Sequence, residues 1–230
     1  MPNKYVNFVS DEHFLECVKH VCESYQEVAS TELDDLSSNG IDPFKIIFDI
    51  ENKRISFSEW LKKEALRQED KTVNNTLGEF HQMLLGKVRG WTDLGIGDDS
   101  HLDLRKNDNT IFIELKNKEN TLNADSKNQV REKLKAAITM YPTAIAYWAY
   151  IIKKDNTSGE RIWKYRGDAN PKIKVTWGSK VYELITGDPD ALEKVWKVLP
   201  KAIAEVLGNG IGIPSQDLQK ISEFFQNTFH

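Results

Sequence analysis

The sequence predicts a single α/β domain with a central mixed β-sheet flanked by helices. Helical spacing dominates both ends of the chain, whereas apolar and alternating segments cluster in its middle, interrupted by one further helical segment. Helices on both sides of a mixed sheet are the usual result of such an order. The 230 residues are enough for one domain, for which we expect a helical N-terminal part (1–70), a core (71–180) and a helical C-terminal part (181–230).

The sequence pattern of the first 88 residues predicts three helices, with a break between the first two. Apolar residues recur at helical spacing from Asp11 to Ala29, and the polar stretch Ser37–Gly40 interrupts the pattern. Ser56-Phe57-Ser58-Glu59 has the form of a capped helix start and predicts a helix to about Glu69. A further helix is expected over 72–88, and 90–100 is expected to be a loop.

The middle of the chain predicts the strands of the sheet. Two alternating segments, 101–105 and 111–116, flank a turn-forming stretch. A helix is expected over 125–140, followed by a buried strand over 144–152 and short strands over 161–165 and 173–177. The C-terminal part predicts helices over 178–185, 189–207 and 215–229.

Composition narrows the protein class. The hydrophobic content of 40% and charged content of 29% are ordinary for a globular protein. The sequence contains neither a bilayer-length apolar run nor a signal-peptide core, and Cys17 and Cys22 suit neither a disulfide nor a zinc site. We therefore expect a cytoplasmic protein without a membrane partner. The net charge of −4 argues mildly against nucleic-acid binding but leaves it open, since only the binding face must be positive.

The strongest chemical pattern is an aspartate, ten intervening residues and then Glu-x-Lys. Side chains alternate along a strand, so Glu114 and Lys116 share one face of the second strand. If the apolar faces of both strands lie together, with Leu102 beside Leu104, Asp103 converges with Glu114 and Lys116 on the opposite face. Two carboxylates able to share a divalent cation, with an amine nearby, suit metal-assisted cleavage of a phosphodiester.

Two alternatives stay open for this pattern. The same acids and lysine could be solvated, loosely paired charges on the polar face of a hairpin. Asp98 and Asp99 also compete with Asp103 for the role of first carboxylate. Asp103 is preferred because it lies within the apolar alternation, whereas the other two lie in a glycine-rich loop.

Polar residues around the pattern are further candidates. Glu79, on the predicted helix before the strands, could supply or support a metal ligand, although most helix glutamates simply face solvent. Amide, hydroxyl and amine groups that could contact phosphates or base edges follow the Glu-x-Lys pattern directly, on Asn117, Lys118, Asn120 and Thr121. A solvated polar loop is the alternative explanation of these residues.

The Asp103…Glu114-x-Lys116 pattern on adjacent strands resembles the PD-(D/E)XK nuclease superfamily, with Leu102 in place of the proline that gives the name. The sequence from Leu77-Gly78-Glu79-Phe80-His81-Gln82 to Glu114-Leu115-Lys116-Asn117-Lys118-Glu119-Asn120-Thr121 is similar to type II restriction endonucleases of the SinI and AvaII kind. Thr186–Leu192 is a weaker similarity. This resemblance implies a PD-(D/E)XK restriction-endonuclease-like fold and a catalytic core over 71–180.

The resemblance also implies residue roles. Asp103 and Glu114 would be the metal-binding acids, Lys116 the catalytic lysine and Glu79 an assisting glutamate. The carbonyl of Leu115 would join the acids around Mg²⁺, for which Mn²⁺ could substitute, because these oxygens are hard ligands. Lys116 is expected to act electrostatically rather than as a base, since a lysine beside two carboxylates tends to stay protonated.

The implied activity is site-specific hydrolysis of double-stranded DNA. Members of this group cut GGWCC or GGNCC, and such cleavage would leave 5′-phosphates. A palindromic target implies a homodimer in which each subunit cuts one strand. Reading its G·C pairs would need arginine or lysine side chains, for which the candidates are Lys118, Lys127, Arg131 and Lys180. The alternatives are a structure-specific repair or recombination nuclease, and a non-catalytic DNA-binding domain with the same fold.

Overall fold

A six-stranded mixed β-sheet forms the centre of the protein in a computed structural model that describes residues 3–29, 41–95, 98, 100–119 and 123–229. Seven helices within these residues flank the sheet, which confirms the predicted α/β class. The strands, in chain order, are β1 (Trp91–Asp93), β2 (Leu104–Lys106), β3 (Ile111–Lys118), β4 (Ile145–Ile152), β5 (Gly159–Ile162) and β6 (Ile173–Trp177).

The order across the sheet is β1-β2-β3-β4-β6-β5. The central strands β3, β4 and β6 run parallel, and the outer pairs β1–β2, β2–β3 and β5–β6 are antiparallel. The helices are α1 (Asp11–Ala29), α2 (Pro43–Lys53), α3 (Phe57–Gly86), α4 (Ala124–Met140), α5 (Ser179–Thr186), α6 (Ala191–Leu207) and α7 (Ser215–Phe229). Among the described helices, none combines the length and apolarity needed to cross a membrane.

Both faces of the sheet are covered by hydrophobic cores. On one face, Ile113 and Leu115 of β3 belong to a core with residues of α1, α3, α5, α6 and α7. On the other, Phe112 and Trp148 belong to a core with residues of α4. Parallel strands are normally buried on both faces because their crossover helices cover them, which explains the continuous apolar run of β4.

The predicted hairpin with one apolar and one polar face is wrong. Leu102 packs in the core beside Phe112, whereas Leu104 packs in the opposite core beside Ile113. The chain bends at Asp103 and β2 begins only at Leu104, so simple alternation does not extend across this point. As a result, the polar groups of β3 are confined to its C-terminal half.

Some predicted elements differ in their limits. The two helices predicted over 56–69 and 72–88 form one continuous helix, α3, because neither glycine nor proline interrupts it between them. Its predicted start is confirmed by reciprocal capping bonds, from Glu59 N to Ser56 Oγ (3.2 Å) and from Ser56 N to Glu59 Oε2 (2.8 Å). Strand β1 lies at the start of the segment expected to be a loop. The predicted break at 37–40 lies outside the described residues.

Gly178, which precedes α5, occupies a backbone conformation of φ 66° and ψ −141° that glycine alone adopts readily. A Cβ there would lie 2.2 Å from Ser158 Oγ, and that hydroxyl accepts a bond from Ser179 N (3.0 Å) and donates one to Phe229 O (2.8 Å). Gly178 therefore allows β6, α5 and the C-terminus to meet closely.

We expect Gly178→Ala to lower the free energy of unfolding by about 2 kcal/mol, through backbone strain and displacement of Ser158. Urea denaturation measures this change. Gly210→Ala is the matched control, because a Cβ at Gly210 meets nothing within 4 Å. Equal stability of the two variants would show that the Gly178 conformation costs an alanine nothing.

Candidate active site

Asp103, Glu114 and Lys116 come together at the C-terminal half of β3. Lys116 Nζ lies 2.9 Å from Glu114 Oε1 and 3.6 Å from Asp103 Oδ2. Glu114 and Lys116 are two residues apart on one strand and therefore share a face, as their sequence spacing predicted. Asp103 reaches them from the bend before β2.

Backbone hydrogen bonds hold Asp103 in this position. Its amide donates to Ile113 O (3.0 Å), and its carbonyl accepts from Leu94 N (2.9 Å). Its carboxylate Oδ2 accepts from Leu115 N at 2.6 Å. The Asp103 carboxylate thus accepts the hydrogen bond from the Leu115 amide that a neighbouring strand would otherwise accept. This bond lies where the pairing of β2 with β3 ends.

The same hydrogen bonds define the direction of the Leu115 carbonyl. Carbonyl groups two residues apart along a strand point to the same edge, so Leu115 O faces the edge at which Ile113 O accepts from Asp103. This places a backbone oxygen beside the two carboxylates. The arrangement offers three oxygen donors from Asp103, Glu114 and Leu115.

A second lysine, Lys133 of α4, contacts the cluster. Its Nζ lies 3.5 Å from Glu114 Oε2, and Glu114 is only 3% exposed. The prediction of site residues missed Lys133, although a signal was present. It lies at helical spacing from Val130 and Ala137 on the face of α4 that packs against the sheet, where a charged side chain needs a partner.

Burial and mutual repulsion alter the ionisation of the cluster. Burial, followed by the nearby Glu114 charge, raises the pKa of Asp103 above its ordinary value despite the opposing effect of Lys116. Burial lowers the pKa of Lys116, but the charges of Asp103 and Glu114 outweigh it, so that this pKa is raised. Lys116 is therefore a cation at neutral pH.

The geometry separates Asp103 from its competitors. Asp98 Oδ1 accepts bonds from Ser100 N (2.9 Å) and Ser100 Oγ (2.5 Å), so this carboxylate stabilises its own turn. Asp99 lies outside the described residues. Of the described candidates, Asp103 is the acid that contacts Lys116.

Glu79 is not brought to the cluster. Its carboxylate lies 2.7 Å from His20 Nε2 of α1, and its side chain is 59% exposed. Helix α3 does pass close to β3, since a Cβ on Gly78 would lie 3.7 Å from Asn117 Cβ. Glu79, one residue later, lies on a different face of the helix. None of its contacts with the described residues supports the expected assisting role.

The predicted DNA-contacting residues divide by location. Asn117 and Lys118 lie at the end of β3, where Lys118 Nζ donates to Asn74 Oδ1 (2.7 Å). Lys127 lies on α4 with its Nζ 5.6 Å from the centre of the Trp148 ring. Lys180 pairs with Glu183 on α5 (2.6 Å). Asn120 and Thr121 lie outside the described residues.

The expectation that Arg131 contacts DNA is wrong, because this side chain is internal. It is 1% exposed, and its guanidinium lies 5.2 Å from the Trp163 ring centre. Nη1 donates to Trp163 O (2.9 Å), and Nη2 lies 3.0 Å from Asp168 Oδ2. Arg131 therefore ties α4 to the segment after β5 and cannot reach a DNA surface.

The six-stranded mixed sheet flanked by helices is consistent with a restriction-endonuclease-like fold, and comparison with known proteins agrees. Residues 6–208 match the Eco47II restriction endonuclease family. The chain is 31% identical to the type II restriction enzyme Sau96I of Staphylococcus aureus, over 98% of this chain and 90% of the relative. It is 32% identical to the type II restriction enzyme Eco47II of Escherichia coli, over 92% of this chain and 94% of the relative.

The chain belongs to the Eco47II restriction endonuclease family, since the match covers most of its length. It is accordingly a type II restriction enzyme, a site-specific nuclease that cleaves DNA. The predicted enzyme class is confirmed. The narrower resemblance to the SinI and AvaII group stays a prediction.

The raised pKa of Asp103 has a consequence for stability. A carboxylate whose pKa is higher in the folded state binds protons more tightly there, so its charge destabilises the fold at neutral pH and less so as the pH falls. We expect Asp103→Asn, in the presence of a chelator, to raise the free energy of unfolding at pH 7, because it removes this destabilising charge. Denaturant titrations at several pH values measure this gain, which should shrink in acid.

Asp155→Asn is the control for this effect. Asp155 is a surface acid whose pKa is lowered by its hydrogen bond with Lys153, so its replacement should not stabilise the protein. A wild-type protein at least as stable as Asp103→Asn at pH 7 would show that the buried charge is fully compensated.

Proposed function

We propose that the protein hydrolyses phosphodiesters of double-stranded DNA in a Mg²⁺-dependent reaction, at a short palindromic GC-rich site, and leaves 5′-phosphates. The observation that carries this proposal is the meeting of Asp103, Glu114 and Lys116 at the C-terminal half of β3. The resemblance to the SinI and AvaII group supports GGWCC or GGNCC as the target. Both relatives are named type II restriction enzymes.

The donor set fits a hard divalent cation. Asp103, Glu114 and the Leu115 carbonyl would supply oxygen ligands, the type that Mg²⁺ and Mn²⁺ prefer. The described residues contain no group of three or more His, Cys, Asp or Glu side chains that could hold a metal. The protein ligands would therefore be two carboxylates and one backbone carbonyl, and the other positions around the cation would be open to water and phosphate. A bound cation there supplies a more acidic water and neutralises charge on the phosphate.

Lys116 is suited to orient the attacking water and to stabilise negative charge on the phosphate. Its raised pKa keeps it protonated, which favours this electrostatic role over that of a base. In the reaction the water oxygen bonds to phosphorus, the bond from phosphorus to the 3′ oxygen breaks, and that oxygen takes up a proton. The products are a 5′-phosphate and a 3′-hydroxyl.

Lys133 is proposed as a positioning residue. Its contact with Glu114 holds the carboxylate between two ammonium groups, and the four charged side chains of the cluster sum to zero. Such balance reduces the cost of keeping Glu114 buried. A buried acid held in one orientation is a better metal ligand than one that must be ordered on binding.

A palindromic target favours a homodimer. Two copies related by a two-fold axis would each read one half-site and cut one strand. Light scattering in solution, with and without DNA, tests this assembly directly.

Digestion of a sequenced plasmid with Mg²⁺, followed by mapping of the fragment ends, tests the proposed activity. We expect a discrete set of fragments whose ends fall at GGWCC or GGNCC and carry 5′-phosphates. Ends at other sequences would overturn the proposed site, and a preference for branched DNA would indicate a repair or recombination nuclease instead.

Charge-removing variants test the assigned residues. Asp103→Asn, Glu114→Gln and Lys116→Met should each slow cleavage by about 10²–10³-fold, because each removes an interaction aimed at the reacting phosphate. DNA binding, measured by fluorescence anisotropy, should be retained. Asp98→Asn is the control, since Asp98 only stabilises its own turn. Loss of activity in this control, or full activity in Asp103→Asn, would reassign the first carboxylate.

A further inference from the structure

A cleft of about 750 Å³ lies beside the candidate active site. Its walls include four aromatic side chains, Trp148, Tyr150, Trp163 and Tyr165. This volume is within the range of pockets that enclose small ligands. The cleft is not used by the hydrolytic chemistry described above.

Strand register places the cleft next to the acids. Trp148 of β4 is paired with Glu114 of β3, and Tyr150 is paired with Lys116. Paired residues on neighbouring parallel strands point to the same face of the sheet, and the strands lie about 4.8 Å apart. The aromatic wall therefore begins one strand away from the carboxylates, on the same face.

The aromatic rings form a continuous series. Ring centres lie 5.2 Å apart between Tyr150 and Trp148, 4.8 Å between Trp148 and Trp163, and 5.6 Å between Trp163 and Tyr165. The buried Trp148 Nε1–H has no hydrogen-bond partner among the described residues. Trp148, Tyr150 and Trp163 are each at most 6% exposed, so a ligand of this cleft would meet mainly the half-buried ring of Tyr165. An accessible aromatic ring of this kind can accept a nucleobase by stacking.

The charge of the cleft favours a polyanion. Lys127, Arg161 and Lys164 line it, and Glu119 is its one acidic lining residue. None of the three cations forms an ion pair with a carboxylate of the described residues. The chain as a whole carries a net charge of −4, so this excess of positive charge is local. A base whose flanking phosphates meet these cations satisfies both the rings and the charge.

We propose that the cleft receives one nucleobase of the DNA substrate, turned out of the duplex close to the scissile phosphate. This inference rests on the proposed DNA cleavage. A base stacked within a duplex offers no free π surface, so it must leave the stack to meet the aromatic wall. The unpairing cost is offset by stacking on Tyr165 and by phosphate contacts with the lining cations.

Single mismatches test the inference, because a base that is already unpaired costs less to extrude. Affinities are measured in a Lys116→Met background with Mg²⁺, on duplexes that carry one mismatch at each position of the mapped site in turn. We expect a mismatch at one position, and its symmetry mate, to tighten binding by roughly 5- to 100-fold. No gain at any position would overturn the proposal.

Tyr165 variants connect that gain to the cleft. Tyr165→Leu should abolish most of the gain by removing a π surface, whereas Tyr165→Phe should retain it despite losing the hydroxyl bond to Ala124 O. Tyr25→Leu, at an exposed tyrosine of α1, is the control. An unchanged gain in Tyr165→Leu would place the extruded base elsewhere and overturn the proposal.

Photocrosslinking provides a readout that does not depend on variants. A 5-iodouracil at the position identified by mismatches should crosslink to an aromatic residue of the cleft, which mass spectrometry identifies. Crosslinks only outside the cleft would contradict the inference. A free deoxynucleoside monophosphate that binds the cleft while mismatches have no effect would show a site for a separate nucleotide instead.

Plasmid digestion separates the two proposals. A wild-type protein that cuts at a defined site but shows no mismatch gain would retain the proposed function and lose the extruded base. A wild-type protein that does not cut DNA would overturn both.

Discussion

The hydrogen bond from the Leu115 amide to the Asp103 carboxylate is the contact on which the site depends. At 2.6 Å it joins the residue before β2 to the middle of β3, where backbone pairing between these strands stops. It satisfies a buried amide that would otherwise lack a partner, and it aims a carboxylate at Glu114 and Lys116. This one hydrogen bond therefore both satisfies the backbone of β3 and positions a side chain of the candidate site.

Charge balance is the second constraint. Asp103 lies close to Glu114 in a partly desolvated position, which raises the pKa of Asp103 and disfavours its charge. Lys116 and Lys133 approach from the same strand and from α4, and they offset this repulsion. The divalent cation proposed above would offset it further.

Burial of the sheet on both faces leaves little room for polar groups on its strands. With apolar cores on each side, a polar side chain of β3 or β4 needs a partner where it lies. Glu114 of β3 is 3% exposed and is paired with Lys116 and Lys133, and the aromatic cleft lies beside it on β4. Helix α4 contributes Lys133 to the cluster around Glu114 and Lys127 to the aromatic cleft.

Local patterns in the sequence determined much of this protein. Alternation along β3 paired Glu114 with Lys116, the capping residues marked the start of α3, and the order of apolar segments predicted a mixed sheet between helices. These features depend on a few neighbouring residues, so short-range periodicity and hydrogen bonding are enough to specify them. Glu114 and Lys116 of the candidate site were identifiable in this way, whereas Asp103 was chosen from an alternation that the bend before β2 interrupts.

Only the tertiary structure determined which distant residues pack against each face of a helix or strand. Periodicity states that Arg131 and Lys133 lie on a helix, but the packing of α4 makes the first an internal tie to Trp163 and the second a partner of Glu114. Likewise, a bend at Asp103 sends Leu102 and Leu104 into opposite cores. The physical reason is that burial and charge pairing depend on segments distant in sequence, and alternation within one element carries no information about them.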